Sequence, residues 1–176
     1  MGLKLSHAFM AVADLDKVVP FYTDILGFQI TDRGALNEDV EAVFMSQDPD
    51  NHHQIALANS LKEGPTPRPM THVAFRMESI DDLRALKKRL QAEGIAIARE
   101  ISHGNAWSLY FADPEGNGVE CFVDTPFHVS QPQGKPTDID LDDKALLAKT
   151  RADFGDEPEF GAYAAWQDRF RARLEE

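Results

Sequence analysis

The feature that most constrains the fold of this 176-residue chain is an internal repeat. The segment SHAFMAVADLDKVVPFYTDILGF, which begins at Ser6, matches THVAFRMESIDDLRALKKRLQAEGI, which begins at Thr71. Each segment contains a hydroxyl residue, a histidine, a short apolar run, an aspartate and a helix-like stretch that ends near a glycine. The two histidines, His7 and His72, lie 65 residues apart. A repeat of this length indicates two copies of one supersecondary unit.

Each copy carries signals for one helix followed by three strands. Asp14 and Ser79 are candidate N-caps, and Gly27 and Gly94 are candidate stop signals. The β-like runs that follow are FQITDR, EAVFMSQ and HQIALA in the first copy and IAIAREI, WSLYFAD and GVECFVD in the second. We therefore predict an α+β fold of two βαβββ modules, about residues 5–62 and 70–126. The modules are expected to pack as a pseudo-twofold pair into one curved mixed sheet with the helices outside.

The chain changes character after residue 126, so we predict a single domain over residues 1–126 and a C-terminal arm and helical extension over residues 127–176. The run FHVSQPQGKPTDIDLDD is rich in proline and aspartate and indicates an extended arm. Residues 142–152 and 157–175 are predicted to be helical. Large apolar side chains recur there at steps of three or four residues. They are Phe160, Tyr163, Trp166, Phe170 and Leu174. This stripe favours core or subunit packing over a ligand site, and we expect a homo-oligomer.

Composition excludes several classes of partner. The net charge is −12 and no basic block occurs, which argues against nucleic acid or an anionic membrane. No run of about eighteen apolar residues is present, so no transmembrane helix is predicted. The N-terminus lacks the apolar core and cleavage site of a signal peptide. The single cysteine, Cys121, excludes internal disulfides and fits the reducing cytoplasm.

Two histidines and one glutamate form a candidate metal site. His7 and His72 hold equivalent places at the start of each module, and Glu120 follows the DPEGNG turn. A histidine or a glutamate alone is more often a hydrogen-bonded core residue or a solvent-facing residue. Two histidines and one carboxylate together form the facial triad that is typical of non-haem Fe(II) sites with open coordination positions. The combination therefore favours a metal site.

Several stretches resemble the vicinal oxygen chelate superfamily, whose domains pair two βαβββ modules around a divalent metal. Within it, the chain resembles the type I extradiol ring-cleaving dioxygenases in their single-domain form. The resemblance spans roughly residues 5–141, and its stretches are SHAFMAVADLDKVVPFYTDILGF, NHHQIAL, MTHVAFRM, SHGN, SLYFADPEGNGVE and FHVSQPQGKPTDIDL. It implies an oxidoreductase that incorporates both atoms of O2 into a catechol-type aromatic substrate.

The resemblance also implies roles for individual residues. His7, His72 and Glu120 match the metal ligands, with Fe(II) as the expected cofactor and Mn(II) possible. The catalytic residues match His53, an acid–base histidine, together with Tyr110 and His103. Asn105, beside His103, is an expected substrate contact, and Ile55 is expected to be another because of its place on the strand after His53.

Strand alternation suggests how the adjacent histidines are oriented. If His52 and His53 open a strand, their side chains point to opposite faces. The resemblance, in which the second histidine of the pair is the acid–base residue, then implies that His53 faces the site and His52 turns away. Ile55 and Leu57 would share the side of His53 and give an aromatic ring an apolar wall.

Two other functions are compatible with the same fold. A glyoxalase-I-like or epimerase-like lyase or isomerase would use a fourth protein ligand from the first module, for which Gln54 is the candidate. A non-catalytic small-molecule binding protein would need no catalytic metal. The complete set of His7, His72 and Glu120 argues against the binding protein.

Overall fold

The computed structural model describes residues 6–48, 52–61 and 72–174, with side chains described to residue 172. Its residues fall into two compact units. The first comprises Met1–Val73 and Ala112–Gly118, and the second comprises Ala74–Phe111 and Val119–Glu176. Each unit holds most of one predicted module.

The first unit has the predicted βαβββ order. Its elements are β1 (Ala8–Ala11), α1 (Leu15–Pro20), which continues as a π-helical turn (Phe21–Ile25), β2 (Gln29–Ala35), β3 (Glu41–Ser46) and β4 (Ile55–Ala58). They form a four-stranded sheet in the order β1-β4-β3-β2. β1 and β4 are parallel, and Ala8 pairs with Ile55. The parallel pair places the residues that precede the two strands at one end of the sheet.

Both predicted boundaries of α1 are present. The Asp14 carboxylate accepts hydrogen bonds from the backbone N–H groups of Asp16 and Lys17, as an N-cap does. The chain leaves the helical turn at Gly27, whose φ of 81° is the left-handed conformation that favours glycine. A second carboxylate, from Glu115, accepts from the N–H groups of Ala13 and Asp14. The start of α1 is therefore anchored by two acidic side chains.

The second unit repeats the order of the first and adds a strand to its sheet. Its module consists of β5 (Val73–Arg76), α2 (Ile80–Ala92), β6 (Arg99–Ser102), β7 (Ala106–Ala112) and β8 (Gly118–Asp124). Ser79 caps α2, and Gly94 ends it with a φ of 68°. The sheet has the order β10-β6-β7-β8-β5, in which β10 comes from the C-terminal arm. The α+β class and the two βαβββ modules are confirmed, and backbone hydrogen bonds give each module its own sheet.

The C-terminal extension is part of the second unit. Its elements are β9 (Phe127–His128), β10 (Lys135–Pro136), α3 (Asp143–Phe154), β11 (Gly161–Ala162) and α4 (Tyr163–Leu174). α3 buries Leu146 and Phe154 completely. The indole N–H of Trp107 in β7 donates to Thr150 Oγ1 in α3 at 2.8 Å. The extension therefore completes the core of the unit.

The predicted start of the last helix is wrong. Gly161 and Ala162 pair with β9, so the helix begins at Tyr163 rather than at residue 157. Phe160 therefore lies outside the helix and packs on Phe127, with ring centroids 5.1 Å apart. The rings of Tyr163, Trp166 and Phe170 do stack along α4, whereas the side chain of Leu174 lies outside the described residues. The homo-oligomer stays a prediction. In the described part of the chain, no helix combines the length and apolar character needed to span a membrane.

Candidate functional site

The first unit gathers imidazole groups at the start of its parallel strands. His7 directly precedes β1, and His72 directly precedes β5, so the two hold the equivalent positions that the repeat predicts. Both are exposed. The ring of His7 lies against that of His53, with centroids 4.4 Å apart. Two candidate functional histidines, 46 residues apart in the sequence, therefore meet in space.

The prediction that His52 and His53 point to opposite faces is wrong. β4 begins at Ile55, and both histidines lie in irregular backbone before it, where strand alternation does not apply. Nδ1 of His52 lies 3.0 Å from Nδ1 of His53, and the rings are almost perpendicular. Phe44 of β3 contacts His53 edge to face at 5.1 Å. His52 is thus a direct neighbour of His53 rather than a residue turned away.

The environment of His53 favours the neutral imidazole. Burial lowers the pKa of His53 because it penalises the charged form, and the neighbouring imidazoles of His7 and His52 lower the pKa further. A neutral imidazole has one nitrogen lone pair available to accept a proton or bind a metal. The first unit thus presents an imidazole in its reactive form beside a candidate metal ligand.

The second unit contains a hydrogen-bonded chain of three predicted site residues. Tyr110 of β7 donates from Oη to Oε1 of Glu120, on β8, at 2.7 Å. Nε2 of His103 lies 2.8 Å from the same Tyr110 oxygen and 3.9 Å from Glu120 Oε1. Glu120 is only 8% exposed. We call this arrangement the His103–Tyr110–Glu120 chain.

The surroundings of Tyr110 keep its hydroxyl protonated. Burial raises the pKa of Tyr110 well above its ordinary value, and the hydrogen bond to Glu120 and the charge of that carboxylate add to the effect. The guanidinium of Arg99 lies over the phenol ring, 4.6 Å from its centroid.

Burial, with a contribution from Glu120, also raises the pKa of Cys121 to about 12, so this thiol is not a thiolate ligand at neutral pH.

The two predicted substrate contacts have different surroundings. Asn105 lies beside the C-terminal arm, and its Oδ1 accepts from the side-chain amide of Gln131 at 3.3 Å. Ile55 is 1% exposed, and all four residues of β4 are buried. Because β4 is buried on both faces, its burial pattern does not separate a cleft side from a core side. The roles of Asn105 and Ile55 as substrate contacts stay predictions.

The predicted metal ligands come from both units. His7 and His72 belong to the first unit and Glu120 to the second. Within either unit alone, the described residues form no group of three side chains that could hold a metal ion. The donors themselves suit Fe(II) or Mn(II), because two imidazole nitrogens and one carboxylate oxygen are a common set for these ions. Glu120 also has the hydrogen-bonded environment that ligating carboxylates have. The residues fit a metal, and the ligand set stays a prediction.

Sequence reasoning missed three neighbours of the site. Phe44 packs on His53, Arg99 lies over Tyr110, and the backbone carbonyl of Gln133 accepts from His103 Nδ1 at 2.5 Å. Gln133 falls in the arm that the resemblance included, but a backbone carbonyl leaves no signal in the sequence. Phe44 and Arg99 stand in predicted strands, where aromatic and long side chains are ordinary.

The family model and the similar curated proteins point to the same family. The family model described as "Glyoxalase/Bleomycin resistance protein/Dioxygenase superfamily" matches residues 4–121. Biphenyl-2,3-diol 1,2-dioxygenase 3 of Rhodococcus globerulus is 30% identical over 126 residues, which cover 69% of this chain and 63% of that protein. Biphenyl-2,3-diol 1,2-dioxygenase of Paraburkholderia xenovorans (strain LB400) is 32% identical over 122 residues, which cover 66% of this chain and 39% of that protein. The match thus spans less than two thirds of the length of either relative.

A solved structure supports the fold. A glyoxylase/bleomycin resistance protein/dioxygenase domain from Frankia sp. EAN1pec is similar, with a TM-score of 0.60 and 24% identity. The similarity covers 71% of this chain and 94% of that one.

Proposed function

Because the chain belongs to the Glyoxalase/Bleomycin resistance protein/Dioxygenase superfamily, we propose that it is an extradiol dioxygenase. It would cleave the aromatic ring of a catechol-type diol with O2 at a non-haem Fe(II) ion. His7, His72 and Glu120 would hold the ion. The observation that carries the proposal is the His103–Tyr110–Glu120 chain, in which a protonated phenol bridges an imidazole and a nearly buried carboxylate.

This chain of residues gives the site a hydroxyl group that is held in a fixed position. Because the pKa of Tyr110 is raised, its hydroxyl keeps its proton and donates from Oη. Two hydrogen-bonding neighbours hold that oxygen in one place. A protein that only binds an apolar ligand gains nothing from burying such a set, because each polar group costs desolvation free energy. The arrangement therefore supports a reaction in which protons move.

When bound, Fe(II) supplies a Lewis acid that lowers the pKa of the diol hydroxyl groups and a redox-active centre for O2. His53 would accept a proton from the diol. Its Nδ1 contacts His52, so we assign this transfer to Nε2. Tyr110 Oη, whose own proton is donated to Glu120, would accept a hydrogen bond from a diol hydroxyl and so orient the diol. His103 would supply a proton from Nε2 during ring opening. Both atoms of O2 enter the product, one in a carboxyl group and the other in a new carbonyl group.

The lyase or isomerase is the second candidate, and one contact argues against it. Gln54 Oε1 accepts a hydrogen bond from the backbone N–H of Gln47 at 2.9 Å and lies 3.5 Å from Ser46 Oγ. This oxygen therefore stabilises the end of β3. To act as a fourth metal ligand, Gln54 would have to break that contact.

Oxygen uptake by the reconstituted protein tests the proposal. The protein would be loaded with Fe(II) without air and mixed with aerated solutions of catechols that carry different ring substituents. We expect uptake of one O2 per diol, with a yellow ring-opened product that has an absorbance band in the visible range. Glu120→Gln, which changes a proposed metal ligand, should abolish this uptake. Glu93→Gln, which changes an exposed carboxyl after α2, is its matched control and should retain the uptake. Metal-dependent turnover of a hemithioacetal without oxygen uptake would instead support the lyase.

A further inference from the structure

We propose that Gln131 is a positioning residue that fixes the imidazole of His103. Gln131 belongs to the C-terminal arm, 28 residues beyond His103 in the sequence. The structural part of this proposal stands on contacts within the second unit alone. Its consequence for turnover rests on the proposed function.

The side-chain amide of Gln131 uses both of its polar atoms. Its Oε1 accepts from the backbone N–H of Gln133 at 2.9 Å. Its Nε2 donates to the backbone carbonyl of His103 at 2.9 Å and lies 3.3 Å from Asn105 Oδ1. One side chain thus joins the arm at residue 133 to the segment that carries His103. We call these contacts the Gln131 clamp.

The clamp determines which atom meets the His103 ring. The backbone carbonyl of Gln133 lies 2.5 Å from His103 Nδ1. A carbonyl oxygen can only accept a hydrogen bond, so Nδ1 carries a proton. Nε2, on the other side of the ring, then points to Tyr110 Oη at 2.8 Å. The ring orientation that builds the His103–Tyr110–Glu120 chain therefore depends on the position of one carbonyl in the arm.

The arm has a second attachment immediately after the clamp. Lys135 and Pro136 pair with Ser102 and Ile101 of β6. This pairing holds the arm against the strand that leads to His103. It leaves residues 131–134 to be placed by other contacts, among which the Gln131 amide has four partners, on residues 103, 105, 129 and 133. Because Gln131 is exposed, its replacement should alter the position of the Gln133 carbonyl more than the folding of the unit.

Nuclear magnetic resonance of the His103 ring tests the clamp directly. Metal-free protein labelled with ¹⁵N-histidine should show a His103 Nδ1–H signal that is protected from exchange with water. In Gln131→Ala we expect this signal to broaden or disappear, because the carbonyl partner is displaced. Gln133→Ala is the matched control, since its side chain reaches Glu157 whereas its backbone carbonyl is retained. The control should keep the protected signal, and a thermal melt of each variant would show whether it is folded.

Steady-state kinetics test the consequence. If His103 takes part in proton transfer, Gln131→Ala should lower kcat about tenfold and change KM for the diol by less than about twofold. A merely structural role would lower the fraction of active enzyme without altering the Nδ1–H signal. An Nδ1–H signal as protected in Gln131→Ala as in the wild type would overturn the clamp. If no diol supports oxygen uptake, the proposed function fails, while the resonance result still decides the clamp.

Discussion

The two units hold their candidate site residues in different ways. In the first unit, His7, His52 and His53 stand in irregular backbone before strands and contact one another through their rings. In the second unit, Tyr110 and Glu120 stand inside strands and are joined by a hydrogen bond. Side chains on paired strands have little freedom, whereas residues beside a strand can adjust. The comparison teaches that one copy of the repeat provides two exposed imidazoles beside a partly buried one, and the other provides a set of side chains fixed by hydrogen bonds.

The largest effect is expected from Glu120→Ala. If Glu120 is a metal ligand, its removal leaves two imidazoles, and iron content should fall from about one atom per chain to nearly none. Elemental analysis of protein reconstituted without air would measure this. Glu93→Ala should retain the metal. A variant lacking Glu120 that still binds one equivalent of iron would refute the ligand assignment and the division of roles between the units.

The next effect concerns the first unit alone. His53→Ala should retain iron and lower kcat by about 10²- to 10⁴-fold, because it removes a general acid–base group. His52→Ala should cause a smaller loss, since His52 contacts His53 rather than the substrate in our proposal. Iron analysis and oxygen uptake on the same samples would separate the two effects. Equal losses in both variants would mean that the histidine pair acts as a unit.

A smaller effect is expected from Tyr110→Phe in the second unit. This change keeps the ring and its contact with Arg99 but removes the hydroxyl that joins His103 to Glu120. Loss of a hydrogen bond to a ligating carboxylate typically weakens metal binding by about 10- to 100-fold. A metal titration with a competing chelator would measure the change. Unchanged affinity would show that the hydroxyl serves the substrate and not the ligand.

The smallest of the four effects is on stability. Lys87 in α2 forms ion pairs at 2.7 Å with Glu100 and with Asp140 of the arm, and its side chain is 8% exposed. Lys87→Met should lower the free energy of unfolding by about 2 kcal/mol, because Glu100, Asp140 and the more distant Asp138 all lose their cation. Urea unfolding would measure this loss. Lys88→Met, on the same helix and exposed, should change the free energy of unfolding by less than about 0.5 kcal/mol.

The pH dependence of the same interaction has a definite sign. Burial alone would lower the pKa of Lys87, but its hydrogen bonds to Asp140 and Glu100 and the charges of both outweigh burial and raise the pKa. A raised pKa means that the stabilisation is complete below the unfolded-state pKa, about 10.4, and is lost as the pH rises through the folded-state value. The stability difference between wild type and Lys87→Met should therefore shrink only at strongly alkaline pH. A difference that vanished near pH 8 would contradict the assignment.

Much of the fold could be predicted because its signals are local. Asp14 and Ser79 cap the two helices, and Gly27 and Gly94 end them, as the repeat predicts. Each signal depends on a few neighbouring residues. The start of α4 could not be predicted in this way, because residues 161–162 pair with β9, more than 30 residues earlier in the chain.

The site was predicted by resemblance, and its details depend on tertiary contacts. The matched positions include His103, Tyr110 and Glu120, which the structure joins by hydrogen bonds. The orientation of His52 was wrong because β4 begins two residues after His53. The Gln131 clamp could not be predicted, since nothing near position 131 records that a histidine 28 residues away meets the arm.

The Glu115 carboxylate makes the first module depend on a residue that lies between two strands of the second. Glu115 lies in the turn between β7 and β8, yet it belongs to the first unit and binds the N–H groups at the entrance to α1. The start of α1 in the first module therefore depends on a residue that lies about a hundred positions later in the sequence. During synthesis on the ribosome, α1 therefore emerges with its Asp14 cap well before Glu115 exists, and its second acidic anchor can form only after β7 has been made.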